Sequence, residues 1–453
     1  MDLLERIRTS KMSRYQVTVI VICFLINVVE GIDVFMMSFI MPTLSAEWGL
    51  TPVQIGYLLS AALFGMTIGS FVLSPLGDRV GRRNLIIACL AVVAVGMAMS
   101  YFATDLGQLV LLRGLTGLGI GATMSSVSVL VFEYSTAKHR GLAIGLFTTG
   151  FPLGGLLAGA TIKAMVGIWG WQSAFLLGAL ATVLVIVLAL FFLSESIDFL
   201  TVKQPPNALS RINTILGKMN QPGLAELPAR PQNAAPKFSE VLHEVFGRRM
   251  IAITLLMWLS YGMLQAAFYF TTSWTPQAFT IVTGDKQLGV TAGTMVSLGG
   301  ILGSVTFALL SVWISKRVLT AAFLMVAAVV YIGFSNSLTM ISLALVLAVG
   351  LGLINNAAIA GFYTVGPGVY SAVARATGFG WMLGAGRIAS IISPIVVGYL
   401  IDAKWNIQTI FTVFAGPLLL SAAALLLVAA LERRRDRSTS ATVPSSEPIG
   451  SGV

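Results

Sequence analysis

The chain has 453 residues, of which 56% are hydrophobic and only 10% are charged. Together with a mean hydropathy of +0.88, this composition excludes a soluble globular protein. The net charge of +10 raises the alternative of a nucleic-acid-binding protein, and the positions of the basic residues decide between the two classes.

Apolar runs that recur along nearly the whole chain predict a membrane protein. Twelve of them are long enough to cross about 30 Å of hydrocarbon, so we expect an all-α protein with twelve transmembrane helices. The first run is too long for a signal peptide and contains two acids, so residue 1 is expected to stay in the cytoplasm. The runs lie near 16–41, 53–77, 84–103, 107–132, 141–166, 172–194, 250–276, 288–314, 318–337, 339–367, 377–402 and 406–431.

The basic residues lie almost entirely on one side of this predicted topology. With both termini in the cytoplasm, most of the 28 Lys and Arg residues fall in the tails, the central polar segment and the cytoplasmic loops. This positive-inside pattern explains the net charge without a nucleic-acid partner. We predict a multi-pass protein of the plasma (bacterial inner) membrane that contacts the lipid bilayer.

The runs form two groups of six, separated by a polar segment rich in proline. Pro42 and Pro276 close the first run of each group, and Arg140 and Arg375 open the fifth, at a nearly constant offset. Parallel repeats of this kind occur in secondary transporters, which bind their substrate near the midplane between the repeats. We predict a cytoplasmic N-tail at 1–15, six-helix bundles at 16–194 and 250–431, a cytoplasmic linker at 195–249, and a disordered cytoplasmic C-tail at 432–453.

Two motifs in the first half resemble signatures of the major facilitator superfamily. SPLGDRVGRRN (74–84) is similar to its loop motif G-x-x-x-D-R-x-G-R-R, and RGLTGLGIG (113–121) matches its fourth-span pattern R-x-x-x-G-x-G-x-G. The resemblance implies the major facilitator fold, with two pseudo-symmetric six-helix halves. It also implies a conformational gate on the cytoplasmic side, with these members: Asp78, Arg79, Gly81, Arg82, Arg83, Glu133, Arg140 and Arg375.

The charge of Asp78 gives the predicted gate a physical basis. Asp78 is expected to face the positive N-terminal end of span 11 and so to latch one conformation. The alternative is that these charges only signal topology, because arginines are retained at the anionic leaflet. The acid is unnecessary for topology, which favours the latch.

A third motif, EGIDVFMMSFIMP (30–42), resembles the D-G-x-D element in span 1 of the aromatic acid:proton symporter family. Gly31 and Asp33 match the element, and Glu30 keeps the first carboxylate. The segments LSESIDFL (193–200) and RATGFGWMLGAGRIASIISP (375–394) are also similar to that family. GLFTTGFPLGG (145–155) approximates the G-P-x-x-G-G pattern of drug/proton antiporters, but its proline is displaced to Pro152.

The intramembrane charges suggest how proton and anion binding are coupled. Glu30 and Asp33 are three residues apart on a helix, so both carboxylates project to one face, and two like charges in a low dielectric favour binding a proton. At 1.5 Å per residue, Asp33 and Arg113 lie roughly 7 and 10 Å outward of their span centres, which predicts an ion pair in the empty site. By the same count Arg387 lies close in depth to Glu30. A substrate carboxylate that competes for either guanidinium would link anion uptake to proton uptake, whereas a purely structural salt bridge is the alternative.

The second half supplies candidate residues for the body of the substrate. One helical stripe of span 7 contains Trp258, Tyr261, Gln265 and Phe268, which could hold an aromatic ring or simply form core. In span 10, Asn355, Asn356 and Tyr363 could hydrogen-bond ring hydroxyls.

Together these features predict a proton-coupled symporter, acting as a monomer, that imports an aromatic carboxylate such as a benzoate or hydroxybenzoate. Alternatives are import of another small organic acid such as a muconate, drug/proton antiport, and a membrane sensor that does not transport. No enzyme motif is present in the sequence, and no cofactor or metal is implied.

Overall fold

The computed structural model describes residues 3–228, 238–248, 250–370 and 374–440, and every regular element in these ranges is a helix. Twelve of the described helices are long and apolar enough to cross a membrane, which confirms the predicted all-α architecture. We number them spans 1–12: Arg14–Trp48, Pro52–Val80, Arg82–Ser100, Leu106–Tyr134, Arg140–Trp169, Gln172–Phe192, Ile251–Thr283, Lys286–Leu310, Lys316–Ser337, Ile341–Val369, Thr377–Asp402 and Ile407–Glu432. Span 11 belongs to the helix Arg375–Asp402, and span 12 to Ile407–Ser440.

Two prolines that we predicted to end spans 1 and 7 lie inside these helices instead. Pro42 lies within span 1, which continues to Trp48, and Pro276 lies within span 7, which continues to Thr283. The prediction of helix ends at these residues is therefore wrong. In a membrane bundle, neighbouring helices satisfy the backbone groups that a proline frees, so proline does not end a span as it ends a helix in water. Span 1 ends instead at Gly49, which adopts the left-handed conformation.

The glycine motif of span 4 brings that helix into close contact with span 2. Gly117 and Gly121 lie against the backbone carbonyls of Ala62 and Met66, where a Cβ atom would collide. Small residues allow helix backbones to approach in this way in lipid. The same close approach recurs between spans 8 and 10, as expected for a repeated half.

The two ends of the bundle differ in how the halves meet. We call the end that carries the N-terminal helix and the linker the linker face, and the other end the opposite face. The hydroxyls of Tyr57 in span 2 and Tyr399 in span 11 are hydrogen-bonded at 2.9 Å near the opposite face. Ser60 donates to the carbonyl of Ile391 at 2.8 Å, one turn deeper. Spans 2 and 11 therefore join the halves toward the opposite face.

Short helices flank the spans on the linker face: Leu3–Thr9, Ile197–Lys203, Ala208–Lys218 and Phe238–Phe246. The first three pack under the first half, where Ile7 and Ile212 belong to one buried apolar cluster. The fourth packs on the second half, because Phe246 lies 5.3 Å from Trp381 between ring centroids. Each half thus carries its own part of the linker.

Parts of the predicted linker and C-tail cannot be compared with the structure. Residues 229–237 and 249 of the linker and 441–453 of the C-tail lie outside the described residues. Residues 432–440, which we expected to be disordered, continue the helix of span 12.

Candidate functional site

A buried ion pair joins spans 1 and 4. Arg113 donates through Nη1 to Oδ1 of Asp33 at 2.7 Å, as the depth count predicted. Arg113 also donates to the Ser100 hydroxyl at 3.2 Å, and its guanidinium lies 4.8 Å from the centroid of the Phe175 ring. Three other spans of the first half therefore hold this arginine, and the pair is shielded from solvent.

Glu30 lies on the same face of span 1 and has no such partner. The residue is 2% exposed, and neither carboxyl oxygen has a hydrogen-bond partner. Asn27, one turn away, donates to the carbonyl of Phe147 but leaves its own carbonyl oxygen unpaired. An ionised carboxylate in this position would be costly without a compensating charge.

Arg387 supplies a positive charge from the other half of the protein. It interacts electrostatically with Glu30, although no hydrogen bond joins them. Its Nη1 and Nη2 lie 4.0 and 3.8 Å from the sulfur atoms of Met66 and Met124, in spans 2 and 4. This half-buried guanidinium therefore reaches across the interface between the halves.

Three tyrosines surround Arg387 on the side of the second half. The hydroxyls of Tyr261, Tyr269 and Tyr363 lie near one another, and Arg387 lies near those of Tyr261 and Tyr269. Tyr261 is buried, whereas Tyr363 is 46% exposed. Gly386, beside Arg387, packs directly against the ring of Tyr261, so span 11 approaches span 7 closely here. The cluster combines one cation with aromatic surface and hydroxyl groups.

The other predicted residues of span 7 divide between two places. Gln265 packs beside Gly386 and is buried with its Oε1 unpaired, and Phe268 is buried against Tyr269 with ring centroids 5.1 Å apart. Trp258 lies nearer the linker face, where it forms an aromatic cluster with Phe246 and Trp381. The predicted stripe is thus a mixed one, and Trp258 is separated from Arg387 by a turn or more of helix.

The two asparagines of span 10 make contacts within the second half. Asn355 donates to the Tyr331 hydroxyl at 2.9 Å, and Tyr331 in turn donates to the carbonyl of Ala267. Asn356 donates to the carbonyl of Gly352 and lies beside Gly300 of span 8. Structural hydrogen bonds therefore engage the NH2 groups of both side chains, whereas Oδ1 of Asn355 is buried without a partner among the described residues.

Sequence reasoning missed several residues around the charges. Tyr269 lies eight residues after Tyr261, and this helical spacing could have placed it on the same stripe. Ser100 and Phe175, which hold Arg113, lie in spans 3 and 6 and carry no sequence signal that links them to it. In the described part of the chain, no group of three or more His, Cys, Asp or Glu residues is arranged to hold a metal ion.

Comparison with known proteins places this arrangement in a family. The model of the Major Facilitator Superfamily matches residues 23–378. The chain belongs to that superfamily. It is 30% identical to the 4-hydroxybenzoate transporter PcaK of Pseudomonas aeruginosa, over 94% of this chain and 95% of that one. It is 29% identical to a gallate transporter of Pseudomonas putida, over 94% of each.

Solved structures agree with this membership at the level of the fold. The structure of the xylose transporter XylE from Escherichia coli matches with a TM-score of 0.72 at 15% identity, covering 91% of this chain and 97% of that one. Membership of the superfamily confirms the prediction of a membrane transporter rather than an enzyme.

Among the described residues, no salt bridge joins the superfamily loop motif to the second half. The Asp78 side chain is 65% exposed and pairs with Arg82 of its own loop at 2.9 Å. Arg79 and Arg375 are exposed. Within the part of the chain that the structure describes, Asp78 pairs with Arg82 and not with span 11, where we predicted a latch contact for one conformation.

The remaining motif residues organise the linker face of the first half. Arg83 donates to the carbonyls of Leu190 and Leu193, each at 2.7 Å, and so caps the end of span 6. Gly81 has a φ of +100° where the loop turns against Glu195.

The end of span 4 at the linker face is fixed by two further motif residues. Glu133 accepts hydrogen bonds from Ser196 and from the backbone of Ile197. Arg140 stacks 4.0 Å over the Phe132 ring.

Proposed function

We propose that this protein is a proton-coupled symporter that imports an aromatic carboxylate of the benzoate or hydroxybenzoate type by alternating access. The relatives whose names state a substrate support the substrate class, because they include transporters of 4-hydroxybenzoate, gallate and benzoate. Proton coupling is supported by the charges between the halves.

The observation that carries the proposal is the relation between Glu30 and Arg387. Glu30 is a buried carboxyl without a hydrogen bond, and Arg387 reaches toward it from the other half. When the site is empty, the negative charge of Glu30 balances the guanidinium. When a substrate carboxylate binds Arg387, in the bidentate manner typical of arginine, protonation of Glu30 restores the same balance. Either event alone leaves a buried charge uncompensated, so the two favour each other.

The surroundings of Arg387 suit an aromatic substrate. Tyr363, which lies near the buried Tyr261, is 46% exposed, so it offers an aromatic face to the ring and a hydroxyl to ring substituents. The Asp33–Arg113 pair lies on the same face of span 1 as Glu30, and a second proton or anion site there would work by the same exchange of partners.

The membrane potential supplies a reason for symport. Import of a lone anion against an inside-negative potential costs about 2.3 kcal/mol per 100 mV, and one accompanying proton cancels the charge. The positive-inside pattern makes the linker face cytoplasmic. Contacts between spans 2 and 11 toward the opposite face, with Asp78 unpaired with span 11 among the described residues, support the proposal of a state whose site faces the cytoplasm.

Proteoliposomes test the proposal directly. The purified protein is reconstituted, an inward proton gradient is imposed, and uptake of labelled 4-hydroxybenzoate, benzoate, muconate and a cationic drug is compared. We expect accumulation of the aromatic acids that collapses with a protonophore. Preferential accumulation of muconate would overturn the substrate class, and proton-driven expulsion of the cation would overturn symport itself.

A further inference from the structure

A basic cavity on the linker face lies apart from the charges between the halves. Its volume is about 580 Å³, and its walls are residues 8–12 of the N-tail and residues 136–139 of the loop between spans 4 and 5. The lining includes Arg8, Lys11, Lys138 and His139 and contains no acidic residue. A volume of this size is within the range of ligand cavities in proteins.

The chain itself holds the two walls of the cavity together. The backbone N–H of Ala137 donates to the carbonyl of Arg8 at 2.9 Å, and the Thr136 hydroxyl contacts the sulfur of Met12. Thr136 and His139 are also hydrogen-bonded, at 3.0 Å. The cavity is therefore built from two segments that are fixed to each other, although they are more than a hundred residues apart in the chain.

The positive charges around the cavity are not neutralised by the protein. Arg8 and Arg140 lie over the same ring, Phe132, at 5.8 and 4.0 Å from its centroid, and as like charges they repel each other. The Nε and Nη2 atoms of Arg140 are buried without a hydrogen-bond partner. Among the described residues, no salt bridge includes Arg8, Lys11, Lys138 or Arg140. Arg140 follows the lining residue His139 and does not itself line the cavity, so an anion with several acceptor oxygens would there meet Arg8, Lys11 and Lys138.

We propose that this cavity binds the phosphate group of an anionic lipid headgroup. Guanidinium and ammonium groups recognise phosphate through charge-assisted hydrogen bonds, and basic residues beside the spans attract anionic lipids of the cytoplasmic leaflet. Two exposed apolar side chains distinguish a lipid from free phosphate: Phe132, whose ring lies under the lining residue Arg8, is 40% exposed, and Leu142, three residues after the lining residue His139, is 73% exposed. An acyl chain can lie along these side chains while the headgroup occupies the cavity.

Binding of short-chain phosphatidylglycerol to the full-length protein in detergent, followed by native mass spectrometry, tests this site. Phosphatidylcholine and inorganic phosphate are the comparison ligands. The variant R8Q/K138Q removes two charges of the cavity, and K203Q/K316Q removes two exposed charges elsewhere on the linker face. We expect R8Q/K138Q to bind phosphatidylglycerol at least about tenfold more weakly and K203Q/K316Q to bind it as the wild type does.

Other outcomes would overturn the proposal. Equal losses in both variants would mean that the lipid senses only overall charge, and equal binding of phosphatidylcholine would remove the role of the anion. Saturable binding of inorganic phosphate without binding of phosphatidylglycerol by the wild type would establish a phosphate site but reject the lipid. Circular dichroism and size-exclusion chromatography check that R8Q/K138Q is folded, and the reciprocal variant K11Q/K138Q, which keeps Arg8 in place, repeats the test if it is not.

Discussion

Arg113 and Asp33 form a hydrogen-bonded ion pair at 2.7 Å in which neither side chain is more than 1% exposed. Only one hydrogen bond joins them, because Oδ2 of Asp33 and Nε of Arg113 are buried without partners. The two side chains therefore neutralise each other's charge, but one donor on Arg113 and one acceptor on Asp33 make no hydrogen bond. Such a pair stabilises the fold while it is intact, and it retains polar groups that a proton or an anion could engage.

Asp33→Asn is expected to destabilise the protein, because the Arg113 charge stays buried without its partner. Removal of one member of a buried pair typically costs about 3–5 kcal/mol, and replacement of both members costs less. We expect Asp33→Asn to lower the thermal unfolding temperature in detergent and to abolish driven accumulation. The double variant Asp33→Asn/Arg113→Gln should regain stability but not transport. A double variant no more stable than the single one would contradict this account of the pair.

Glu30→Gln is expected to fold, because the carboxyl group makes no hydrogen bond that an amide would lose and because Arg387, unlike Arg113, is only half-buried. The amide resembles the protonated acid, so exchange of substrate across the membrane should continue while proton-driven accumulation is lost. Counterflow and gradient-driven uptake in proteoliposomes separate the two. Glu47→Gln is the control, because Glu47 accepts a hydrogen bond from Trp171 near the opposite face, away from Arg387. Wild-type accumulation by Glu30→Gln would exclude this acid from coupling.

Arg387→Lys is expected to weaken substrate binding without unfolding the protein. Lysine keeps the charge but cannot bind a carboxylate in bidentate fashion. Loss of one charge-assisted hydrogen bond, worth about 1.5–3 kcal/mol, corresponds to roughly a ten- to hundredfold increase in the KM of counterflow. The matched control is Met124→Leu, which changes the neighbour of Arg387 but no charge. An unchanged KM in Arg387→Lys would argue that the substrate carboxylate binds elsewhere.

Gly56→Val is expected to prevent closure at the opposite face. A Cβ atom at Gly56 would lie 2.7 Å from the carbonyl oxygen of Pro394, across the interface between spans 2 and 11. A cysteine introduced at Met124, in a chain whose Cys23 and Cys89 are replaced, reports access to the site. We expect an impermeant thiol reagent to reach it from the linker face in the parent chain. In Gly56→Val the reagent should reach it from the opposite face, and unchanged labelling would contradict the prediction.

Arg83 and Arg79 are expected to differ, although both belong to the superfamily loop motif. Arg83→Gln removes two hydrogen bonds to the end of span 6 and should lower the free energy of unfolding by about 1–3 kcal/mol. Arg79→Gln changes an exposed side chain and should leave stability unchanged. Chemical unfolding in mixed micelles measures both. Equal effects would mean that Arg83 acts through net charge at the membrane surface rather than as a cap.

Much of the fold was predictable because the depth of a residue in the membrane follows from its position along the span, at about 1.5 Å per residue. That count brought Asp33 and Arg113 to the same level, and the structure pairs them. It also brought Arg387 level with Glu30, with which it interacts. Rotation about each helix is harder to predict, since in a bundle every face is apolar. Asn355 therefore could not be assigned from sequence to its partner Tyr331, which lies in another span.

Other features depend on tertiary contacts that no local pattern encodes. The aromatic cluster around Trp258 includes Phe246, which comes from a linker helix that docks on the second half. The capping of span 6 by Arg83 depends on where the loop before span 3 meets the chain that leaves span 6. Both contacts join different structural elements, and no sequence pattern indicates that these elements meet.

The enclosure of Arg113 has an electrical consequence. Its carboxylate partner Asp33, its hydroxyl neighbour Ser100 and the ring beneath it, Phe175, all belong to the same six-helix unit. When that unit tilts, the guanidinium and its counter-ion move together as a neutral dipole, and little net charge crosses the transmembrane field. Arg387 belongs to the other unit, and either Glu30 or the substrate carboxylate balances its charge, so the rocking step should move little net charge in both the empty and the loaded state.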